Sequence, residues 1–312
     1  MGRKRRGVPI HGWLNIDKPS GISSNNVVGL IRNATNAAKV GHGGTLDPLA
    51  TGILPLAMGE ATKTVTYAMD ALKSYRFTVR WGEARTTDDR EGSVTETSDQ
   101  RPTKKEITRI LKKFIGNIEQ TPPAFSAIKI SGKRAYELAR ANKDFELKPR
   151  KIYIEDFRFI RMLDENHSEF HVISGKGAYM RSLARDIAQC MGTVGHISSL
   201  RRTSIGGFKE KDSVPMEKLL EKIKSLGHSA PLLEYLLPVE TVLDDIPALN
   251  LTEIEARKIS RGQAVSVLPV ASRSTFLKFS QGEVVMAMSQ GRLVALAKII
   301  GGEIRPFRVM NF

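Results

Sequence analysis

The chain is poor in cysteine, in acidic charge and in long apolar runs, and each shortage removes a class of protein. Cys190 is the sole cysteine among 312 residues, so no intrachain disulfide can form and zinc sites built on paired thiolates are excluded. The six histidines are scattered without metal-ligand spacing. No apolar run approaches the roughly 20 residues needed to cross a bilayer, and the N-terminus lacks the apolar core of a signal peptide. A cytoplasmic protein with no membrane partner, no metal and no cofactor is expected. Acids number 33 against 48 lysines and arginines, a net charge of +15, which implies a polyanionic partner, nucleic acid first. With 41% hydrophobic residues the chain is not disordered, and its length suits one large domain plus a small one.

The most informative stretch is Gly41-His42-Gly43-Gly44-Thr45-Leu46-Asp47-Pro48-Leu49-Ala50-Thr51-Gly52-Ile53-Leu54-Pro55. Four glycines and two prolines in fifteen residues predict a fixed loop rather than a helix or a plain strand. His42, Thr45, Asp47 and Thr51 lie between apolar residues, as in a loop pressed into the protein with its polar groups aimed at one spot. Asp47 is the candidate chemical centre. The plainer reading is that Asp before Pro starts a turn, since its side chain caps nearby N–H groups and proline fixes the next φ.

The remaining elements follow from periodicity. The run Arg3-Lys4-Arg5-Arg6 within residues 1–8 reads as a solvated tail able to add phosphate contacts. Residues 12–19 read as a short strand and turn, with Ser23 or Ser24 capping a helix that carries Val27, Leu30 and Ile31 on one face. Lys18, at the mouth of that connection, is placed to meet a phosphate or the loop around Asp47. Tyr75, Phe77, Val79 and Trp81 alternate with Arg76, Thr78 and Arg80, a half-buried strand in which Tyr75 begins the buried row. Residues 83–102 read as an exposed loop or hairpin. Thr103 and Glu106 form a capping box for a helix with Ile107, Ile110, Leu111 and Phe114 on one face.

The stretch 121–140 mixes prolines, aromatics and four basic side chains, a composition suited to an arm lying against a nucleic-acid backbone. Lys129 here, and Arg201 farther on, are candidate substrate contacts. Strands at 152–160 and 170–174 lead into a helix beginning at Met180. An arginine at a helix start opposes the macrodipole, so Arg181 calls for an anionic partner elsewhere. Residues 199–208 set two arginines against a glycine turn, and 209–248 read as irregular helices and connections. From about 251 a helix at 252–260 and strands near 263–268, 283–288, 292–299 and 304–310 describe a small, mostly β domain.

Five blocks in order make the chain resemble a known family. These are Asp17-Lys18-Pro19-Ser20-Gly21, the Gly-His-Gly-Gly-Thr-Leu-Asp-Pro loop at 41–48, Tyr75 on its strand, Pro-Pro-Ala-Phe-Ser-Ala-Ile-Lys at 122–129, and Gly-Ala-Tyr-Met-Arg at 177–181. The chain resembles the TruB-type tRNA pseudouridine synthases of bacteria, which act on the T arm of tRNA. The resemblance implies an α/β (α+β) fold: a mixed, largely antiparallel sheet with surrounding helices over 9–248, then a β-rich, PUA-like RNA-binding domain over 249–312. It implies that Asp47 is the catalytic aspartate, that Tyr75 packs on the flipped base, and that Arg181 pairs with the aspartate. His42 would lie against the T loop, Tyr179 and Leu200 would line the uracil pocket, and Lys18 would support the catalytic loop. Gly43 departs from the Thr or Ser common in relatives, a loss expected to loosen the loop; Ala178 and Met180 also differ from commoner choices.

The chemistry agrees with that residue set. Making pseudouridine means breaking the C1′–N1 bond, turning the retained uracil and joining C1′ to C5, which needs no redox group, metal or nucleotide. An ionised carboxylate acts at C1′ or C6, and an adjacent guanidinium keeps it charged and orients it through paired hydrogen bonds. A stacked base must first be extruded and held against a ring, a role for Tyr75 and Tyr179; the Tyr75 hydroxyl could also help remove the C5 proton. The glycines of the 41–55 loop would let RNA approach the backbone closely. The implied partner is the T stem-loop of tRNA, bound by a monomer without guide RNA. Two other readings are a guide-RNA-dependent synthase of the dyskerin type, and a noncatalytic RNA-binding or tRNA-folding protein, which would not require Asp47 and Arg181 together.

Overall fold

The computed structural model describes residues 7–130, 132–141, 143–226, 230–274 and 280–312; the basic run at 3–6 lies outside them. In chain order the first elements are β1 (Gly12–Lys18), α1 (Ser24–Thr35), β2 (Val40–His42), β3 (Thr51–Met58), α2 (Val65–Asp70), β4 (Lys73–Trp81), β5 (Glu83–Arg85), β6 (Val94–Thr97), α3 (Lys104–Leu111) and β7 (Gly116–Gln120). There follow β8 (Lys129–Ile130), β9 (Lys133–Arg134), α4 (Ala135–Arg140), β10 (Arg150–Met162), β11 (His167–Ser174), α5 (Met180–Cys190) and β12 (Gly195–Ile205). An 11-stranded sheet organises them, its main path running Val214–Pro215, β1, β3, β12, β4, β11, β10, β7. Within it only β1 with Val214–Pro215 and β3 with β12 pair in parallel. This is the mixed, largely antiparallel α/β architecture expected.

Alternation in the sequence becomes burial in the sheet. Tyr75, Phe77, Val79 and Trp81 of β4 are buried, and Phe77 packs against Phe157 and Phe170 with ring centroids 5.9 and 5.4 Å apart. Helices α3 and α5 add Ile107, Ile110, Leu111, Leu183, Ala184 and Ile187 to the same core, each buried leucine or isoleucine stabilising the fold by roughly 1.5–3 kcal/mol. The Thr103–Glu106 capping box is present. In α1, Val27 and Ile31 are buried but Leu30 is exposed. Ser23 is the N-cap, accepting from the Asn26 N–H at 3.2 Å, and Ser24 is free to do something else.

Three segments differ from the sequence expectation. The irregular part of 41–55 is confined to residues 43–50, because β2 and β3 flank it as an antiparallel pair. Residues 195–205 form a full central strand, β12, which a pattern so rich in polar residues conceals, and the glycine turn expected after the two arginines follows it at 206–207. Its register, Arg202 opposite Gly52 on one side and Tyr75 on the other, puts the exit of the loop beside β4. At 263–268 only Val265–Ser266 is a strand, followed by a short helix at Val267–Ala271.

The C-terminal β-rich unit is a five-stranded sheet in the order Ala248–Asn250, Val284–Ser289, Arg292–Ile300, Glu303–Val309, Val265–Ser266. It has its own core around Leu249, Ile259, Val285 and Ile304. A second cluster joins Leu293, Leu296 and Met310 of this unit to Trp13, Ile53, Ile205 and Phe208 of the large sheet, so the two units share buried apolar surface. Among the described residues no helix is long and apolar enough to cross a membrane.

Gly52 shows why the loop is rich in glycine. Its φ is +98°, and a Cβ there would lie 2.1 Å from the Arg202 carbonyl oxygen. At this position the missing side chain serves the close approach of β12. Gly52→Ala is therefore expected to destabilise the fold by at least about 2 kcal/mol, measured as a fall in urea midpoint at unchanged slope; an unchanged midpoint would refute the packing argument.

Candidate active site

The loop at 43–50 is held from several sides before any catalytic group is considered. The Gly43 N–H donates to the Pro55 carbonyl at 2.7 Å. The Ser24 hydroxyl donates to the Leu46 carbonyl at 2.9 Å and accepts the Leu46 N–H at 2.8 Å. The Gly21 N–H donates to the Pro48 carbonyl at 2.8 Å. Two buried cations complete the frame. Lys18 Nζ donates to the carbonyls of Pro19, Ile22 and Pro48 at 2.8, 2.7 and 3.1 Å. Arg202 donates to those of Ile53, Gly44 and Thr45 at 2.7, 2.9 and 3.4 Å. Gly43 does not loosen this frame, since a Cβ at 43 would come within 3.1–3.2 Å of Ala68 and Trp13.

Asp47 emerges from that frame with its side chain 38% exposed, and Arg181 meets it at Nε–Oδ2 2.9 Å with its own side chain 7% exposed. The contact is not the two-armed pairing expected. Nη1 donates to the Thr87 carbonyl at 2.9 Å and lies 3.6 Å from Asp89 Oδ2, and Nη2 donates to the Phe125 carbonyl at 2.9 Å. A buried guanidinium has five donors to satisfy, and here they bind the loop, the turn after β5 and the segment after β7 to helix α5. The Ser182 hydroxyl and Arg185 Nη2 both donate to the Thr121 carbonyl at 2.8 Å, so the first part of 121–140 is clamped rather than a free arm.

A cleft of about 130 Å³ opens at this point, lined by Ser20, Asp47, Leu49, Ala50, Thr51, Asp89, Arg90, Arg181, Ile197, Ser198, Ser199 and Leu200. Of the residues singled out in the sequence, Asp47, Arg181 and Leu200 meet there. Tyr75 is 8% exposed within the main core and is tied to the site through its register with Arg202. Tyr179 precedes α5, with its backbone held by Gln120 at 2.8 and 3.0 Å. Burial holds its phenol above the ordinary value, and the Asp47 carboxylate adds to the effect. His42 is half-buried in β2; burial, then Arg202, lowers its pKa, and its Nδ1 has no hydrogen-bond partner among the described residues. Lys129 is exposed on the β8–β9 hairpin.

One candidate substrate contact is corrected, and a second is found within an ion-paired cluster. Lys18 is fully buried and spends its ammonium on three carbonyls, so it positions the loop instead of touching substrate. Arg201 grips both oxygens of Asp17 at 3.0 and 2.7 Å and is also bonded to Glu210. The bond to Asp17 first, with that to Glu210, raises its pKa further, and the three bonds occupy three of its five N–H donors. Asp89 and Arg202 were not singled out. Asp89 lies in a stretch read as exposed, and Arg202 could not be told from Arg201 without the register of β12. Among the described residues no group of three or more His, Cys, Asp or Glu side chains is placed to hold a metal.

The chain is similar to known proteins over its whole length. Residues 32–180 match the family described as "TruB family pseudouridylate synthase (N terminal domain)" and residues 181–244 the "tRNA pseudouridylate synthase B C-terminal domain". The chain is 56% identical over 311 residues to the tRNA pseudouridine synthase B of Rhodospirillum rubrum, covering 100% of each chain. It is 48% identical to that of Caulobacter vibrioides, covering 100% of this chain and 99% of the relative. Among solved structures it is similar to a chain of a Cbf5-Nop10-Gar1 complex, with TM-score 0.74, 25% identity, and coverage of 96% of this chain and 84% of that one. A chain from an H/ACA RNP bound to a substrate RNA, 22% identical with TM-score 0.74 and coverage of 100% and 92%, shares the fold.

The buried lysine makes a pH prediction. Burial lowers the Lys18 pKa to about 8, with the Asp47 carboxylate opposing. An amine whose folded pKa lies below its unfolded value penalises the folded state while charged, and the penalty is relieved as pH rises from about 8 to the unfolded pKa of roughly 10.4. Between pH 7 and pH 10 the unsubstituted chain should gain on the order of 2 kcal/mol relative to Lys18→Met, read by chemical denaturation; parallel pH curves would contradict it.

Proposed function

The chain belongs to the TruB family of pseudouridylate synthases, and from that premise we propose that it isomerises uridine to pseudouridine in the T arm of tRNA, without a guide RNA. The observation that carries the reading is the Asp47–Arg181 pair: a part-exposed carboxylate at a cleft wall, 2.9 Å from a buried guanidinium. Nothing in a purely RNA-binding protein calls for that arrangement. The full-length likeness to proteins named tRNA pseudouridine synthase B supports tRNA as the substrate and a stand-alone enzyme.

In this reading the target uridine is extruded from the T loop, since its glycosidic bond is unreachable in the stack. The Asp47 carboxylate acts as nucleophile at C1′ or C6 of the uridine, and Arg181 aims it. The C1′–N1 bond breaks with its electron pair going to N1, uracil turns within the cleft, C1′ joins C5 as the bond to the Asp47 carboxylate is released, the C5 proton departs to solvent, and N1 takes up a proton from solvent. Leu200 lines the space in which the ring turns, Tyr179 borders it, and Tyr75 packs on the base and can assist at C5. His42, at the end of β2, lies against the T loop. Lys129 on its hairpin touches the backbone of the stem, and the C-terminal β unit, 249–312, acts as a PUA-like RNA-binding domain. The net charge of +15 supplies salt-dependent attraction to phosphates.

Tritium release from tRNA carrying 5-tritiated uridine tests the reaction. The unsubstituted chain should release tritium without guide RNA, and Asp47→Asn should lower the rate by more than about 10³-fold; equal release from the variant would sink the nucleophile assignment. Arg181→Lys cannot reach Asp47, Asp89 and two carbonyls with one ammonium, so a loss of roughly 10²-fold is expected, and full activity would refute the hub role.

A further inference from the structure

Turning a nucleotide out of its stack requires a grip on its phosphates, and the cations nearest the cleft are committed elsewhere. Lys18 closes on three carbonyls, Arg201 on Asp17 and Glu210, and Arg181 on Asp47, Asp89 and two carbonyls. Arg90 differs from all three. It lines the same cleft as Asp47 and Arg181, it is exposed, and its guanidinium makes no hydrogen bond or ion pair with any described residue.

The turn that carries Arg90 is fixed. Asp89 is 6% exposed and accepts from the Thr87 hydroxyl at 2.5 Å and the Glu91 N–H at 3.0 Å. Its other oxygen lies 3.6 Å from Arg181, and a β-bridge joins Asp89 to Ile197 of β12. The Arg90 carbonyl accepts from Arg85 Nη1 at 3.2 Å. Asp88 and Asp89, the two acids before Arg90, are engaged by Arg185 and Arg181. An unpaired guanidinium is thus presented at a set place by backbone anchored to both the catalytic arginine and the central strand.

Resting on the functional reading above, we propose that Arg90 is a substrate-binding residue whose guanidinium takes a phosphodiester of the RNA strand beside the target nucleotide. Its planar fork matches a phosphate with two parallel N–H···O contacts. Held there, the strand is pinned at the cleft mouth while the base turns toward Asp47.

Arg90→Gln and Arg90→Lys in the full chain test this with a T-arm stem-loop RNA. Binding is read by fluorescence anisotropy in an Asp47→Asn background over a range of salt, and kinetics in the otherwise unsubstituted chain. Arg90→Gln should weaken binding and raise KM about 3- to 10-fold, leave kcat at saturating RNA within about twofold, and flatten the plot of log affinity against log salt by roughly 0.7–0.9, one phosphate's worth. Arg90→Lys should keep the salt slope. A methylphosphonate at a phosphate flanking the target should reproduce the loss in the unsubstituted chain and add nothing in Arg90→Gln. Unchanged affinity and slope in Arg90→Gln, additive losses, or a fall in kcat at constant KM would each overturn the proposal. Pseudouridine formation by the unsubstituted chain is followed alongside; its absence overturns the functional reading, whereas the binding comparison decides Arg90 in either case.

Discussion

A buried guanidinium must find an acceptor for each donor it brings out of water, and two such groups determine how this protein is assembled. Leaving any of these donors unpaired costs several kcal/mol, so the chain around Arg181 and Arg202 has little freedom. Arg202 spends its donors on carbonyls of the loop and of β3, tying the one to the other. Arg181 spends its own on the carboxylate that emerges from that loop and on two further segments. One arginine shapes the platform and the other orients what stands on it.

The platform works because β12 runs between β3 and β4. Its parallel contact with β3 is only two residues long, Arg201 with Thr51 and Arg202 with Gly52, and glycine at 52 is what allows the strands to come so close. From that one crossing, the loop, Tyr75 and the cleft wall at 197–200 acquire their relative positions. Lys18 and Ser24 brace the far side of the loop from β1 and α1. Asp47 is thus the part-exposed tip of an otherwise rigid construction, which suits the nucleophile proposed for it, since a preorganised group reacts without rearranging.

The cleft divides its charges by task. Arg181 and Asp89 face inward and hold geometry, whereas Arg90 faces outward with nothing to hold. The segment after β7, clamped under α5 by Arg181, Ser182 and Arg185, links the β8–β9 hairpin to the same helix that orients Asp47. The hairpin is therefore coupled through few bonds to the Asp47–Arg181 pair.

Much of this was legible in the sequence, and the remainder was hidden for identifiable reasons. Apolar alternation gave β4 its buried face and periodicity gave α3 and α5 theirs, because such patterns reflect a single interface with the core. Capping chemistry located Thr103, and the charge at the start of α5 called for a partner that proved to be Asp47. The likeness of five blocks identified the family. Sequence could not decide which of two adjacent arginines is buried, whether a lysine after a strand meets solvent or three carbonyls, or that an acid in a charged stretch is folded inward. Those outcomes depend on strand register, where a shift of one residue exchanges the two faces of the sheet, and on acceptors supplied from far along the chain. The residue types determined the chemistry available, and the tertiary structure decided which of those groups are spent on holding the site and which remain for the substrate.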